Sequence, residues 1–136
     1  MRTTFKKSGD MIICYLHDHN NKYTGIARCH PEDKKYYSDK IGQEYAYTRA
    51  LLKKMRADRD GIINELKSLK HLYSILNKND NVSKKSIECY TIRRQIKLKE
   101  RDIQEMRNLI RATSQDLLKN IKARDIMHNR ESNKEA

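Results

Sequence analysis

Five side chains able to hold a soft metal ion fall within seventeen residues of one another: Cys14, His17, His19, Cys29 and His30. Thiolate and imidazole are the ligands of tetrahedral zinc, so this cluster is the first chemistry to test. No pair has the Cys-x2-Cys spacing of a metal knuckle. The intervening residues read as two strands and a turn, which puts His17 and His19 near the turn and Cys29 at the far end of the second strand. The expectation is buried thiols and exposed histidines, with no metal site and no cofactor.

Catalysis has no better footing. The carboxylates are scattered along stretches of helical pattern, no Gly-rich phosphate loop is present, and no Ser, Cys or Lys has a recognisable base near it in sequence. No catalytic residue is expected, and the chain does not read as an enzyme. What remains is binding chemistry. The run TIRRQIKLKERD places Arg93, Arg94, Lys97 and Arg101 on or near one helical face through spacings of three and four. Cations gathered in this way suit phosphates or an acidic protein face. A solvated flank beside a helical seam has the same composition. Tyr36, Tyr37, Tyr45, Tyr47, Tyr73 and Tyr90 have Lys and Arg neighbours and can stack on bases, but Tyr45 and Tyr73 fall on the apolar seam described below. Tyr36, Tyr37 and Tyr47 are left as surface candidates.

The elements that must position these groups follow from composition. The chain has 136 residues, 37% hydrophobic and 35% charged, so its core is thin and a deep catalytic cleft is not expected. It has no tryptophan, one phenylalanine and one proline, the usage of long helices rather than of a sandwich or barrel. Formal charge is +12, and residues 91–136 hold twelve of the thirty Lys and Arg against seven Asp and Glu. That balance suits acidic partners, nucleic acid above all. Three cysteines, no signal pattern and no apolar run of transmembrane length point to a cytoplasmic setting and no membrane partner.

MIICYLH, DHNNK and YTGIARC read in turn as strand, turn and strand, a β-hairpin within residues 1–30. Alternation puts Tyr23, Gly25, Ala27 and Cys29 on one face and Thr24, Ile26 and Arg28 on the other. TTF upstream can supply a short third strand, turning at Ser8-Gly9-Asp10. A helix starts at Pro31 with its following acids, or at a second cap, Ser38. Alternating steps of four and three then run through Ile41, Tyr45, Thr48, Leu52, Met55, Arg59, Ile62, Leu66, Leu69, Tyr73 and Leu76. A polar turn at about 77–83 follows, and Ser83 is a candidate cap. A second seam comprises Cys89, Ile92, Ile96, Lys99, Ile103, Met106, Ile110, Thr113 and Leu117. The fold expected is mostly α within α+β: a β-hairpin packed on a long antiparallel helical hairpin over 31–128, with a flexible tail at 129–136 and one domain overall. Arg59 is expected level with Lys99–Arg101 as one polar layer fixing register. Gly42, Ala46 and Ala50 form a smooth track beside the first seam, where a strand bearing Gly25 and Ala27 can approach closely. Leu51, Ile63, Leu72 and Ile75 are left partly exposed, which suggests a homodimer.

The order TGIARCHPEDKKYYSDKIGQEYAYTRA, residues 24–50, resembles an N-terminal pattern of small uncharacterised proteins of phages and prophages of low-GC Gram-positive bacteria. The shared features are a strand ending in Gly-x-Ala-x-Cys, a proline-acid corner, and then Ile-Gly and Arg-Ala on a helix. Such proteins sit among early or accessory genes, and some small basic or helical neighbours inhibit host machinery, including CRISPR nucleases. The resemblance implies a phage context and no catalytic residue. The function expected is a non-enzymatic accessory protein that binds a nucleic-acid-handling machine of the host cell, as an anti-CRISPR-type inhibitor of a Cas nuclease or of its guide RNA or DNA access. A direct nucleic-acid-binding regulator and a structural coiled-coil adaptor are the alternatives.

Overall fold

The computed structural model describes residues 1–28, 38–78 and 87–135, with side chains of the final helix described through Lys122. Three antiparallel strands, β1 (Arg2–Ser8), β2 (Met11–Asp18) and β3 (Asn21–Arg28), lie in that order in one sheet, followed by two long helices, α1 (Asp39–Lys78) and α2 (Ile87–Glu135). The fold is α+β and mostly α, a small sheet followed by a helical hairpin. The first strand is longer than TTF, because the turn at Gly9 and Asp10 sets Ser8 opposite Met11 and pairing then runs back to Arg2. Gly9 takes φ 59°, where a side chain would be strained. The second turn places His19 at φ 54°, a left-handed conformation that His tolerates better than most residues.

The chain divides into two compact units, Met1–Met55 with Ile110–Ala136, and Arg56–Leu109. In the first, the sheet packs on the start of α1. Ile12, Cys14 and Leu16 from β2, Ala27 from β3, and Ala46 and Ala50 from α1 form its buried cluster, with Tyr23, Tyr45, Tyr47 and Leu51 packed against it. The strands thus dock on Ala46 and Ala50 of the small-residue track, as the sequence suggests. Gly25 makes the approach possible: a Cβ there would lie 2.5 Å from the Ala50 amide nitrogen and closer still to the Ala46 carbonyl oxygen. Backbone cannot yield as a side-chain tip does, so the position accepts only glycine. Ser38 caps α1, its hydroxyl accepting from the Ile41 amide at 3.3 Å while its carbonyl accepts from the Gly42 amide at 3.0 Å. Gly42 therefore lies in the first turn of α1, and is buried. The alternative start at Pro31 lies outside the described residues.

In the second unit the two seams face each other. Ile62, Leu66, Leu69, Tyr73 and Leu76 are half-buried on α1, while Cys89, Ile92 and Ile103 are buried on α2. The register differs from the sequence expectation. Lys99 pairs with Glu65, and Lys70 with Glu100, whereas Arg59 pairs with its neighbour Asp60. The polar step in the α2 seam is therefore answered about six residues beyond Arg59, and α1 continues through Lys78, past the start of the turn expected at about 77–83, the rest of which lies outside the described residues. The candidate cap Ser83 lies outside the described residues. At the other end α2 continues to Glu135, past the expected end at 128. No Gly or Pro follows Ile87, so no residue type in that stretch stops a helix.

Gly25→Ala is expected to cost at least about 3 kcal/mol of stability in urea or thermal unfolding, the upper end of overpacking effects, because the new methyl meets backbone on two sides. Thr24→Ala, on the opposite face, should cost less than about 1 kcal/mol. Equal effects would show that the strand does not sit on Ala46 and Ala50.

Candidate functional site

The basic face of α2 is built by helical spacing alone. Tyr90, Arg93, Arg94 and Lys97 lie at steps of three, one and three, and together line one surface concavity with no carboxylate among its described lining residues. All four are exposed, so the ligand they suit approaches from solvent. Two guanidinium groups offer planar pairs of donors and the lysine a point charge, a set matched to phosphate or carboxylate oxygens. Tyr90 adds an aromatic face, 59% exposed.

The other sequence candidates divide differently. Arg101 does not line the concavity; its Nε donates to Glu105 at 3.1 Å, an exposed pair one turn apart that offsets its charge. Tyr47 is half-buried against the sheet core rather than displayed. The reason is that α1 has two contact faces, and Tyr47 sits beside Ala46, Ala50 and Leu51 on the one the sheet covers. Tyr36 and Tyr37 lie outside the described residues. Tyr90 is the member that sequence reasoning leaves out, although its spacing of three and four from Arg93 and Arg94 is the signal that could have found it.

A second depression, of about 550 Å³, lies between the helices of the second unit and is lined by Glu65, Ser68, Leu69, Gln95, Leu98, Lys99 and Asp102. Its charges are mixed. The Lys99 ammonium donates to Glu65, and that hydrogen bond, ahead of the nearby carboxylate charges, holds its pKa above the ordinary lysine value. Lys99 is already paired with Glu65 and two carboxylates share the lining, so this is a helix-pairing contact and not a polyanion site.

Among the described residues no group of three or more His, Cys, Asp and Glu is placed to hold a metal ion. Parity along β2 explains why for the first cluster: Cys14 points into the core with Ile12 and Leu16, while His17 lies on the opposite face. Cys29 and His30 lie outside the described residues. Burial also raises the Cys14 pKa, so its thiol stays protonated at neutral pH.

No family model, curated protein or solved structure matches this chain. No helix among the described residues is long and apolar enough to cross a membrane.

Cys14 and Cys89 are both buried, so timed iodoacetamide labelling followed by peptide mass spectrometry should find them at least about a hundredfold slower in native than in unfolded protein. Raising pH to 9.0, the ordinary thiol value, should accelerate Cys14 little, because its folded pKa lies higher. Native labelling of Cys14 as fast as unfolded would mean that the sheet is not docked, and of Cys89 that the seam of the second unit is open.

Proposed function

We propose that the protein is a non-enzymatic accessory protein that binds a nucleic-acid-handling machine through the basic face of α2. The observation that carries this reading is the concavity lined by Tyr90, Arg93, Arg94 and Lys97, where cations and an aromatic ring meet with no lining carboxylate among the described residues. A chain of net charge +12 is a poor mimic of DNA. It competes for the nucleic acid such a machine holds, or docks on an acidic face of its protein. The resemblance over residues 24–50 supplies the setting: a phage protein in the cytoplasm of a bacterial host, acting as an anti-CRISPR-type inhibitor on a Cas nuclease or on its guide RNA or DNA access.

Binding of purified protein to duplex, single strand and guide RNA across a salt series tests the electrostatic part. If phosphates are the ligand, Arg93→Ala with Arg94→Ala and Lys97→Ala should weaken binding without sequence preference and reduce the salt slope by at most about three. If an acidic protein face is the ligand, the protein ignores free nucleic acid and retains its partner from host lysate after nuclease treatment. Unchanged binding of the triple variant to every ligand recovered refutes the site.

Self-association is part of the same reading. Leu72, Ile75 and Leu98 are exposed in the second unit at 45%, 52% and 49%. Leu51 is not available, since it packs against the sheet core, and Ile63 is half-buried. Light scattering should give a dimer mass that Leu72→Lys with Ile75→Lys returns to monomer. A monomer at all concentrations contradicts it.

A further inference from the structure

The sheet has a second face, turned away from α1, that the reading above does not use. Register and parity assign it twelve residues in four cross-strand rows: Arg2, His17 and Lys22; Thr4, Tyr15 and Thr24; Lys6, Ile13 and Ile26; Ser8, Met11 and Arg28. None is acidic. The one carboxylate on the strands, Asp18, falls in the other parity and pairs with Lys54 of α1, while Asp10 belongs to the first turn. Four basic side chains, Arg2, Lys6, Lys22 and Arg28, therefore stand around a centre of Tyr15, Ile13, Met11 and Ile26. Tyr15, Ile13 and Met11 are half-buried and Ile26 is 39% exposed. The Lys22 ammonium lies 5.0 Å from the centroid of the Tyr15 ring, so the ring face is open enough to receive a charged group.

We propose that this outer sheet face binds single-stranded nucleic acid, with an unpaired base on the Tyr15 ring and backbone phosphates on Arg2, Lys6, Lys22 and Arg28. Charge alone calls for an anionic occupant. Size selects among anions. Three strands about 4.8 Å apart and eight residues at about 3.4 Å each make a face of roughly 400 Å², half of the roughly 800 Å² per partner that a stable protein interface buries. An extended strand of a few nucleotides fits this area. The ring at the centre favours unpaired bases, since a duplex keeps its base faces stacked inside. Lys22 moves from the ring to a phosphate when a base arrives, and the Thr4 and Thr24 hydroxyls on either side of Tyr15 are placed to bond base edges.

The face is also held firm. On the helix side Lys7 pairs with Asp39 at 3.1 Å, and Arg49 donates to the Ile26 carbonyl at 2.6 Å, closing the outer edge of β3. Base and phosphate contacts thus form on a surface whose strand positions are set before binding.

The test uses the full chain and a short oligouridine carrying iodouridine, photocrosslinked at low salt and mapped by peptide mass spectrometry. The adduct is expected on Tyr15. In titrations with unmodified oligouridine, Tyr15→Leu should weaken binding about tenfold or more while Tyr15→Phe keeps it, because stacking needs the ring and not the hydroxyl. Arg2→Gln with Lys6→Gln should lower the salt slope by about 1.4, at roughly 0.7 for each single-strand phosphate contact. Circular dichroism of each variant controls for folding, and Tyr15→Phe keeps the test decisive if Tyr15→Leu unfolds. Adducts confined to the segment around Tyr90 with no effect of the sheet variants, no binding of oligouridine at all, or preferential capture of a poly-glutamate peptide by the same face would each overturn the proposal.

Discussion

At Gly25 the backbone of β3 comes close to the backbone of α1, and the first unit depends on that contact. A sheet of three short strands has little apolar area with which to hold itself on a helix. Its buried side chains are few and small: Ile12, Cys14, Leu16 and Ala27 against Ala46 and Ala50. Dispersion and burial per residue rise only if the two backbones come near enough for such small groups to fill the gap. A Cβ at residue 25 would hold them apart. The polar contacts at the margin then fix orientation rather than supply most of the stability: Lys7 with Asp39, Lys54 with Asp18, and Arg49 on the Ile26 carbonyl. With β2 and β3 seated, β1 is carried along by β2 although all seven of its residues are exposed.

The same economy governs the charges. Where the helices of the second unit meet, cations are answered by carboxylates across or along the helix: Lys99 by Glu65, Lys70 by Glu100, Arg101 by Glu105. The concavity at Tyr90, Arg93, Arg94 and Lys97 and the outer face of the sheet are surfaces whose described lining residues include cations and no carboxylate. Exposed pairs contribute little to stability, so the contrast bears on partners more than on folding.

Much of this was legible in the sequence because it rests on periodicity. The seam from Cys89 to Leu117 picks out the buried positions of α2 among the described residues, and Ala46 and Ala50 of the small-residue track mark the docking face of α1. Register was not legible. A heptad seam pairs almost equally well after a slide of one repeat, and in the register adopted Lys99 meets Glu65 rather than the level of Arg59. Tyr47 was misplaced for a related reason: period alone assigns one buried face, while α1 buries two. The outer sheet face required knowing that β1 extends to Arg2, since TTF alone would leave Arg2 and Lys6 outside the pairing.

Native-state hydrogen exchange across a urea series tests most directly the claim that a backbone-close contact makes sheet and helix one cooperative body. The amides of Ile12, Cys14 and Leu16 on β2 should merge with those of Ala46 to Leu52 on α1 into a single opening curve. Opening of the strands at a lower free energy, with the α1 amides still protected, would contradict the account.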